Sequence, residues 1–255
     1  MNRYFIVILF CLINLAVQAQ TSIIAHRGSS FTAPENTVVS AQLAWQQNAD
    51  AVELDIYLSK DDRVVVIHDS NTKRTTGQDF KVAETSSDVL RTLDAGSWKN
   101  EKYTGEKIPF LEEMIATVPS GKKLVIEIKC GVEVLPALQK IVANCGKKKQ
   151  LIFIGFGWET ILATKQLFPR NACYWLSSSA TDVQEKIKEA AKNDLAGINL
   201  NNKIVDKEIV RLAKRQHLKV LSWTIDEPEE AKRLEKLGVK GITTNRPDVM
   251  KSSIR

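Results

Sequence analysis

Residues 51–68 read AVELDIYLSKDDRVVVIH and decide how the sheet is built. Two apolar runs, Ala51–Tyr57 and Val64–His68, have the β-branched composition that is typical of strands. The residues between them, 58–63, are too few for a parallel crossover, which needs a dozen or more. We therefore expect the second run to return antiparallel, as a hairpin arm that rises from the end of the first.

Short apolar runs alternate with amphipathic segments along the rest of the chain, and this alternation predicts a parallel sheet in an α/β fold. Without the hairpin arm, eight strands remain, which is the number in a (β/α)8 TIM-type barrel. A doubly wound open sheet is the alternative. The predicted barrel strands are Ser22–His26, Ala51–Tyr57, Leu124–Lys129, Leu151–Gly155, Ala172–Leu176, Ala196–Asn199, Leu218–Thr224 and Lys240–Thr243.

Two further expectations concern the segments between strands. Seven helices are predicted, of which the first covers Glu35–Asn48 and the last covers Pro228–Leu237. Three aspartates, Asp182, Asp206 and Asp226, occupy positions that suit helix N-caps. Residues 70–108 are polar and rich in turn residues, and they do not fit the strand–helix repeat. We expect a small insertion over the barrel mouth that is too short for a core of its own.

The first residues of the chain have the features of a secretory signal peptide. A short basic leader, Asn2-Arg3 with its one positive charge on Arg3, precedes an apolar run over 4–17, and small residues at Val17 and Ala19 suit a signal peptidase. The run is shorter than the roughly 20 residues that span a bilayer. We therefore expect a signal peptide over 1–19, a mature domain over 20–255 without a stable membrane anchor, and a periplasmic or secreted location. An uncleaved N-terminal anchor is the alternative.

The net charge bears on the class of partner, and the cysteine count bears on disulfide bonds. The formal net charge is +6, but the basic residues are scattered and show no interleaved aromatics, so no nucleic-acid partner is expected. A basic surface can favour anionic substrates or membranes, but the scattered charges are most simply a solvated basic face. After cleavage three cysteines remain, Cys130, Cys145 and Cys173, so at least one thiol is free; a Cys130–Cys145 bridge stays open. The sequence does not indicate an oligomeric state.

Three carboxylates predict a metal site. Glu53 and Asp55 lie two residues apart on one strand, so their side chains share a face. Because Val52 and Leu54 need the layer between barrel and helices, that shared face is the barrel interior. Glu127 adds a carboxylate at the end of the next barrel strand. Buried together, these groups would repel one another, and without sulfur ligands they suit one hard divalent cation, Mg²⁺ or Ca²⁺.

Two of the three histidines, His26 and His68, end strands at the same rim of the predicted barrel, where TIM-barrel enzymes carry their chemistry. One neutral and one protonated imidazole provide a base and an acid near pH 7. Arg27 offers a planar fork that matches phosphate oxygens. With a cation nearby, this set indicates attack at phosphorus. His217 lies at the opposite rim, and no function is assigned to it.

A set of motifs in this order resembles the glycerophosphodiester phosphodiesterase family. Each motif alone is weak, but the ordered set spans essentially the whole mature chain. The motifs are Ala25-His26-Arg27-Gly28, Pro34-Glu35-Asn36-Thr37, Glu53-Leu54-Asp55, Ile67-His68-Asp69, Leu93-Asp94-Ala95-Gly96-Ser97-Trp98, Ile108-Pro109-Phe110-Leu111-Glu112-Glu113, Glu127-Ile128-Lys129, Ser222-Trp223-Thr224-Ile225 and Gly241-Ile242-Thr243-Thr244-Asn245-Arg246-Pro247-Asp248.

The resemblance implies a TIM-type barrel with a small insertion and metal-dependent hydrolysis of small glycerophosphodiesters to glycerol 3-phosphate and an alcohol. In the mechanism that it suggests, one histidine deprotonates the glycerol 2-hydroxyl, which attacks phosphorus, and the other protonates the leaving alcohol. Water then opens the cyclic phosphate. By resemblance, His26 and His68 are the catalytic pair, with His26 favoured as base, and Glu53, Asp55 and Glu127 are the metal ligands. Arg27 and Lys129 look like phosphate binders, Trp223 like a wall of the glycerol or leaving-group side, and Glu35 and Asn36 like supports of the rim.

Two positions depart from the family pattern. Gly155-Phe156-Gly157 stands where Ser-Phe and an acidic or amide residue are usual, and Thr244-Asn245 stands in place of Thr-Asp. Neither removes a predicted catalytic or metal residue, so we expect both to affect the pocket for the alcohol. Two other functions remain open: phospholipase D-type cleavage of lysophospholipid or sphingolipid headgroups, and a non-catalytic barrel that binds phosphate.

Overall fold

A closed parallel barrel forms the body of the protein. The computed structural model describes residues 21–254, so the predicted signal peptide lies outside the described residues. The strands are β1 (Ser22–Ala25), β2 (Ala51–Leu58), β3 (Val64–Val66), β4 (Lys123–Ile128), β5 (Leu151–Gly155), β6 (Ala172–Ser177), β7 (Gly197–Asn201), β8 (Lys219–Trp223) and β9 (Gly241–Thr244). β1 pairs in parallel with both β9 and β2, which closes the sheet. The TIM-type barrel is confirmed, and the open doubly wound sheet is wrong.

The hairpin arm lies outside the barrel, as the short connection predicts. β3 runs antiparallel to β2, with Ile56 opposite Val66, whereas β2 also pairs in parallel with β4. The arm leaves the ladder after Val66, two residues earlier than expected, and Ile67 N–H donates to the carbonyl oxygen of Asp55 at 3.0 Å. His68 is thereby carried from the end of the arm toward the barrel mouth.

Ten α-helices are present among residues 21–254. They are α1 (Val38–Gln46), α2 (Lys73–Thr76), α3 (Ser87–Leu90), α4 (Leu111–Thr117), α5 (Leu135–Asn144), α6 (Trp158–Leu167), α7 (Ala180–Lys192), α8 (Lys207–Arg215), α9 (Pro228–Leu237) and α10 (Pro247–Ser253). Of the predicted caps, Asp206 accepts from Ile209 N–H at 2.8 Å as expected. Asp182 is not a cap, because Ser179 accepts from its N–H.

The first helix begins later than predicted, and the difference bears on the site. The Thr37 hydroxyl accepts a hydrogen bond from Ser40 N–H at 3.3 Å and starts α1 at Val38, not at Glu35. Asn36, just before the cap, has a positive φ of 59°. Glu35 and Asn36 therefore remain in the loop, where their side chains can turn toward the barrel mouth.

Residues 70–108 fold over one side of the mouth. The segment contains the four-residue helices α2 and α3. The expectation that it lacks a core of its own needs refinement, because Val82, Leu90 and Leu93 are buried in a second apolar cluster. Val65 and Ile67 of the hairpin arm belong to the same cluster. The insertion is thus stabilised by apolar surface that it shares with the arm.

The barrel interior is apolar at its lower end and polar at its upper end. Ile24, Val125, Tyr174 and Leu221 pack together inside the strands. A Cβ on Gly197 would collide with the backbone oxygen of Lys219 and lie 2.8 Å from the Tyr174 ring, so this position requires glycine. These side chains close the bottom of the barrel and confine the polar groups to its mouth.

Two observations concern the thiols and membrane spans. Cys130, Cys145 and Cys173 are all free, so the possible Cys130–Cys145 bridge is not formed. Between residues 21 and 254, no helix combines the length and the apolar composition that crossing a membrane requires.

Candidate active site

The turn after β1 brings the backbone close to the predicted metal ligands. Arg27 and Gly28 both have positive φ, 56° and 83°. A Cβ on Gly28 would lie 2.3 Å from the Ser40 hydroxyl oxygen, so glycine allows the turn to pack against α1. Arg27 N–H then donates to Oε2 of Glu53 at 3.0 Å. The tight turn thus supplies a backbone donor to a buried carboxylate.

The three predicted metal ligands meet at the mouth. Glu53, Asp55 and Glu127 each offer a carboxylate oxygen, and these oxygens lie within 4.8 Å of one another. Glu53 and Asp55 are 2% and 1% exposed. Oε1 of Glu53 and Oδ1 of Asp55 are buried without a hydrogen-bond partner among the described residues. Buried acceptors without donors fit a bound cation.

The electrostatics of this cluster point the same way. Burial, and then the charge of Asp55, raises the pKa of Glu53 well above its usual value. The same two causes raise the pKa of Glu127 to about 7, despite the opposing charge of Lys129. The raised pKa values mean that Glu53 and Glu127 favour protons without a cation, and a bound divalent ion would favour their ionised forms.

The two predicted phosphate binders flank the carboxylates. Lys129 Nζ lies 2.8 Å from Oε1 of Glu127 and 3.7 Å from Oδ1 of Asp55. Arg27 Nε lies 3.3 Å from Oδ2 of Asp55. The side chains of Arg27 and Lys129 line the cavity together with His26. They compensate part of the buried negative charge and present N–H donors to the same space.

The rim residues hold the arginine and the aspartate in place. Asn36 Nδ2 donates to Oδ2 of Asp55 at 2.8 Å, and its Oδ1 accepts from Asp55 N–H. Glu35 accepts from Nη1 of Arg27 at 2.9 Å. Burial opposes ionisation of Glu35, but hydrogen bonds from Arg74 and the charge of Arg27 lower its pKa to about 2. Glu35 is therefore a fixed negative charge.

The two histidines have different partners. His68 Nδ1 lies 2.6 Å from a carboxylate oxygen of Asp69. His26 Nδ1 lies 2.7 Å from the amide Oδ1 of Asn245. Burial, followed by the positive charge of Arg27, lowers the pKa of His26 to about 4. A neutral amide partner does not compensate this loss as a carboxylate would.

Asn245 thus has a different role from the one expected of it. The departure Thr244-Asn245 was expected to affect the alcohol pocket, but the Asn245 side chain contacts His26 instead. Its Nδ2 donates to Oδ2 of Asp226 at 2.7 Å. Asp226 was expected to cap α9, yet the residue at that cap is Glu227. Asp226 instead fixes which end of the Asn245 amide faces His26.

Arg74 was not found by the sequence reasoning. It belongs to α2 in the insertion, where its Nε donates to Oδ2 of Asp69 at 2.7 Å. Its two terminal nitrogens donate to the two oxygens of Glu35 at 2.8 and 2.7 Å. One guanidinium therefore joins the partner of His68 to the partner of Arg27. Arg74 stands six residues after His68 in a segment rich in turn residues. Asp69 is close to it in sequence, but Glu35 is 39 residues away, and no local pattern indicates that contact.

The other half of the cavity is mostly apolar. Trp223, where β8 ends, lies in this half as expected, and its Nε1 donates to the backbone oxygen of Asn199 at 3.2 Å. The Phe156 ring meets the Trp223 ring edge-on, with centroids 5.6 Å apart. The cavity is small, with an interior volume of about 100 Å³. Ile154, Leu176 and Thr243 complete this side.

The chain is similar to a known family over most of its length. Residues 26–249 match the model of the Glycerophosphoryl diester phosphodiesterase family. A glycerophosphodiester phosphodiesterase of Caldanaerobacter subterraneus subsp. tengcongensis is 31% identical, covering 92% of this chain and 98% of that protein. A phosphodiesterase of Oleispira antarctica, solved in complex with the product sn-glycerol-3-phosphate, superimposes with a TM-score of 0.86 at 33% identity, covering 92% and 97% of the two chains. A mouse lysophospholipase D is 27% identical, covering 89% of this chain and 84% of that protein.

Replacing Arg74 tests the contact between the insertion and the histidine. We expect Arg74→Gln to lower kcat roughly tenfold, because Asp69 and Glu35 lose a shared donor. The effect should be smaller than the roughly 10²- to 10⁴-fold that a general acid supplies, because His68 itself remains. Lys73→Gln is the matched control, since Lys73 has only a 3.7 Å pair with Asp79 at an exposed site. Steady-state kinetics with thermal unfolding would check this, and equal kcat for the two variants would contradict it.

Proposed function

The chain belongs to the Glycerophosphoryl diester phosphodiesterase family, and we propose that it hydrolyses glycerophosphodiesters to glycerol 3-phosphate and an alcohol with the help of one divalent cation. The observation that carries this proposal is the carboxylate cluster of Glu53, Asp55 and Glu127 between Arg27 and Lys129. Anionic and cationic groups side by side suit a metal and a phosphate that bind together. The relatives that carry this activity in their names support the same substrate class.

The cation, Mg²⁺ or Ca²⁺, would be held by Glu53, Asp55 and Glu127. Their oxygen-only donor set and two unpartnered buried oxygens support a hard ion. When bound, the ion would neutralise charge on the phosphoryl oxygens. Arg27 and Lys129 would orient the phosphate from either side, since both present N–H donors to the cavity.

The partners of the two imidazoles support a base role for His26 and an acid role for His68. Asn245 must offer Oδ1 to His26, because its Nδ2 donates to Asp226. His26 Nδ1 is therefore the protonated nitrogen, and Nε2 is left with a free lone pair. This tautomer is a base, suited to take the proton of the glycerol 2-hydroxyl as that oxygen attacks phosphorus.

His68 suits the acid role. Its Nδ1 lies 2.6 Å from Oδ1 of Asp69, and this carboxylate oxygen can accept the Nδ1 proton. Burial raises the pKa of Asp69, but hydrogen bonds from Arg74 and His68 outweigh that effect and lower it to about 2. Nε2 of His68 lies 3.2 Å from Nζ of Lys129. With Lys129 engaged by the substrate phosphate, Nε2 would be free to carry a proton and donate it to the leaving alcohol. Water then opens the cyclic phosphate with the two histidines in the opposite roles.

We also propose that the protein is exported and acts in a periplasm or as a secreted enzyme. The basic Arg3, the apolar run and the small residues of positions 1–19 support this location. N-terminal sequencing of the protein recovered from outside the cytoplasm should begin at Gln20. A mature protein that begins at Met1 would contradict cleavage.

Product release tests the reaction. We expect glycerol 3-phosphate from a panel of glycerophosphodiesters with choline, ethanolamine or glycerol as the alcohol. Thorough chelation should abolish this release, and added Mg²⁺ or Ca²⁺ should restore it. His26→Ala should lower kcat by roughly 10²- to 10⁴-fold, whereas His217→Ala serves as the control at an exposed position outside the site. Full activity after chelation would rule out the metal, and an unimpaired His26→Ala enzyme would rule out the base.

Moving one negative charge tests the role of Asn245. In the double variant Asp226→Asn/Asn245→Asp, each hydrogen bond of the pair can be kept while the carboxylate moves next to His26. This neighbour stabilises the imidazolium and raises the pKa of His26 by about one unit or more. Since the base must be neutral, activity is lost as pH falls through that pKa, so the acidic limb of kcat/KM should move to higher pH. An unmoved limb would contradict the assignment of His26 as base.

A further inference from the structure

The cavity has two chemically different halves. β1 to β4 and the arm contribute its charged residues, His26, Arg27, Glu53, His68, Glu127 and Lys129. β5 to β9 and the residues that follow these strands contribute the remaining lining, which is apolar except for threonines and one amide. The phosphate and the metal belong to the first half. An organic group of the substrate therefore faces the second half.

The amide in the second half belongs to Asn199. It lies on β7 opposite Leu176 of β6 and Leu221 of β8, both of which point into the barrel. Asn199 is 1% exposed and lines the cavity, and its Oδ1 has no hydrogen-bond partner among the described residues. A leucine at position 199 would fill the same layer of the barrel interior and would bury no unpaired hydrogen-bond acceptor. Because Asn199 lines the cavity, a ligand donor there would pair this buried acceptor.

The position of Asn199 shows which organic group reaches it. Ile154, Leu176 and Thr243 around it are 2%, 2% and 3% exposed, so this end of the cavity is enclosed. Phe156, by contrast, is 45% exposed and marks the open side. The glycerol moiety is small and common to all the proposed substrates, whereas the alcohol varies in size. The enclosed end suits glycerol, and the open side suits the alcohol.

We propose that the Asn199 amide binds the terminal hydroxyl of the glycerol moiety and so restricts the enzyme to diesters whose glycerol is unsubstituted at that carbon. This rests on the proposed function, in which the 2-hydroxyl attacks phosphorus. With the phosphate at one end carbon and the 2-hydroxyl engaged by His26, the remaining hydroxyl is the one free to meet Asn199. The indole N–H of Trp223 donates to the backbone oxygen of Asn199. The Trp223 ring would cover the glycerol carbons.

The inference separates two substrate classes. A 1-acyl lysophospholipid carries its chain on the hydroxyl that Asn199 would bind. The acyl group would have to pass the enclosed end, and the amide would lose its donor. Trp158 is packed edge-on against Trp175, with centroids 5.1 Å apart, and offers no free ledge for such a chain. The enzyme should therefore differ in substrate from the lysophospholipase D to which it is similar.

A substrate pair isolates the hydroxyl. Glycerophosphocholine and propane-1,2-diol phosphocholine differ only in the terminal hydroxyl, and both retain the attacking one. We expect the wild-type enzyme to favour glycerophosphocholine roughly tenfold in kcat/KM, the effect of one hydrogen bond to a buried group. In Asn199→Leu this ratio should fall close to one. The thermal unfolding temperature of Asn199→Leu should not fall below that of the wild-type enzyme, because the replaced amide oxygen has no protein partner to lose.

Leu176→Val is the matched control on the neighbouring strand. It alters the apolar lining without removing a polar group, so it should change turnover of both substrates by the same factor and keep their ratio. A third substrate, 1-acetyl glycerophosphocholine, blocks the terminal hydroxyl yet stays soluble without micelles. It should be a poor substrate for the wild-type enzyme.

The outcomes distinguish this inference from the proposed function. If the wild-type enzyme releases no glycerol 3-phosphate from glycerophosphocholine, the proposed function fails. If it does, but Asn199→Leu keeps the wild-type preference for the terminal hydroxyl, only the role of Asn199 is overturned. Turnover of 1-acetyl glycerophosphocholine equal to that of glycerophosphocholine would overturn it as well. A loss in Asn199→Leu that depends on the alcohol would place the amide on the other side of the phosphate.

Discussion

The burial of three like charges at the barrel mouth is the constraint on which the rest of the site depends. Glu53, Asp55 and Glu127 are nearly inaccessible to solvent, and their oxygens lie within 4.8 Å of one another. Such a cluster is unfavourable in a dry interior unless positive charge or donors surround it. The turn after β1, the loop before α1 and Lys129 supply those partners. The structure around the cluster is therefore also the structure that would bind an anionic phosphate.

Compensation by side chains extends outward from the cluster to the surface. Arg27 connects Asp55 to Glu35, and Arg74 connects Glu35 to Asp69 beside His68. Because Arg74 is in the insertion, a segment outside the barrel helps to position a histidine inside the mouth. The partners of the histidines also break their symmetry, since an amide faces His26 and a carboxylate faces His68. The proposed roles of base for His26 and acid for His68 rest on these two contacts.

Much of this arrangement could be predicted because it depends on periodicity. The alternation along residues 51–55 places Glu53 and Asp55 inside the barrel, and the short connection after β2 accounts for the antiparallel arm and for His68. The start of α1 and the partner of Asp226 were not predicted correctly. In both cases a local signal, helix propensity or a capping position, was overridden by a contact: Thr37 with Ser40, and Asp226 with Asn245.

The sequence by itself determined the barrel, the membership of the carboxylates and histidines in one rim, and the reaction class that those residue types support. Strand period and connection length are local properties, and each is written in consecutive residues. Only the tertiary structure decided that Arg74 joins Glu35 to Asp69, that Asn245 orients His26, and that Asn199 lines the cavity with an unpaired oxygen. Each of these depends on distances between residues far apart in the chain, which the folding of the strands into a closed barrel sets.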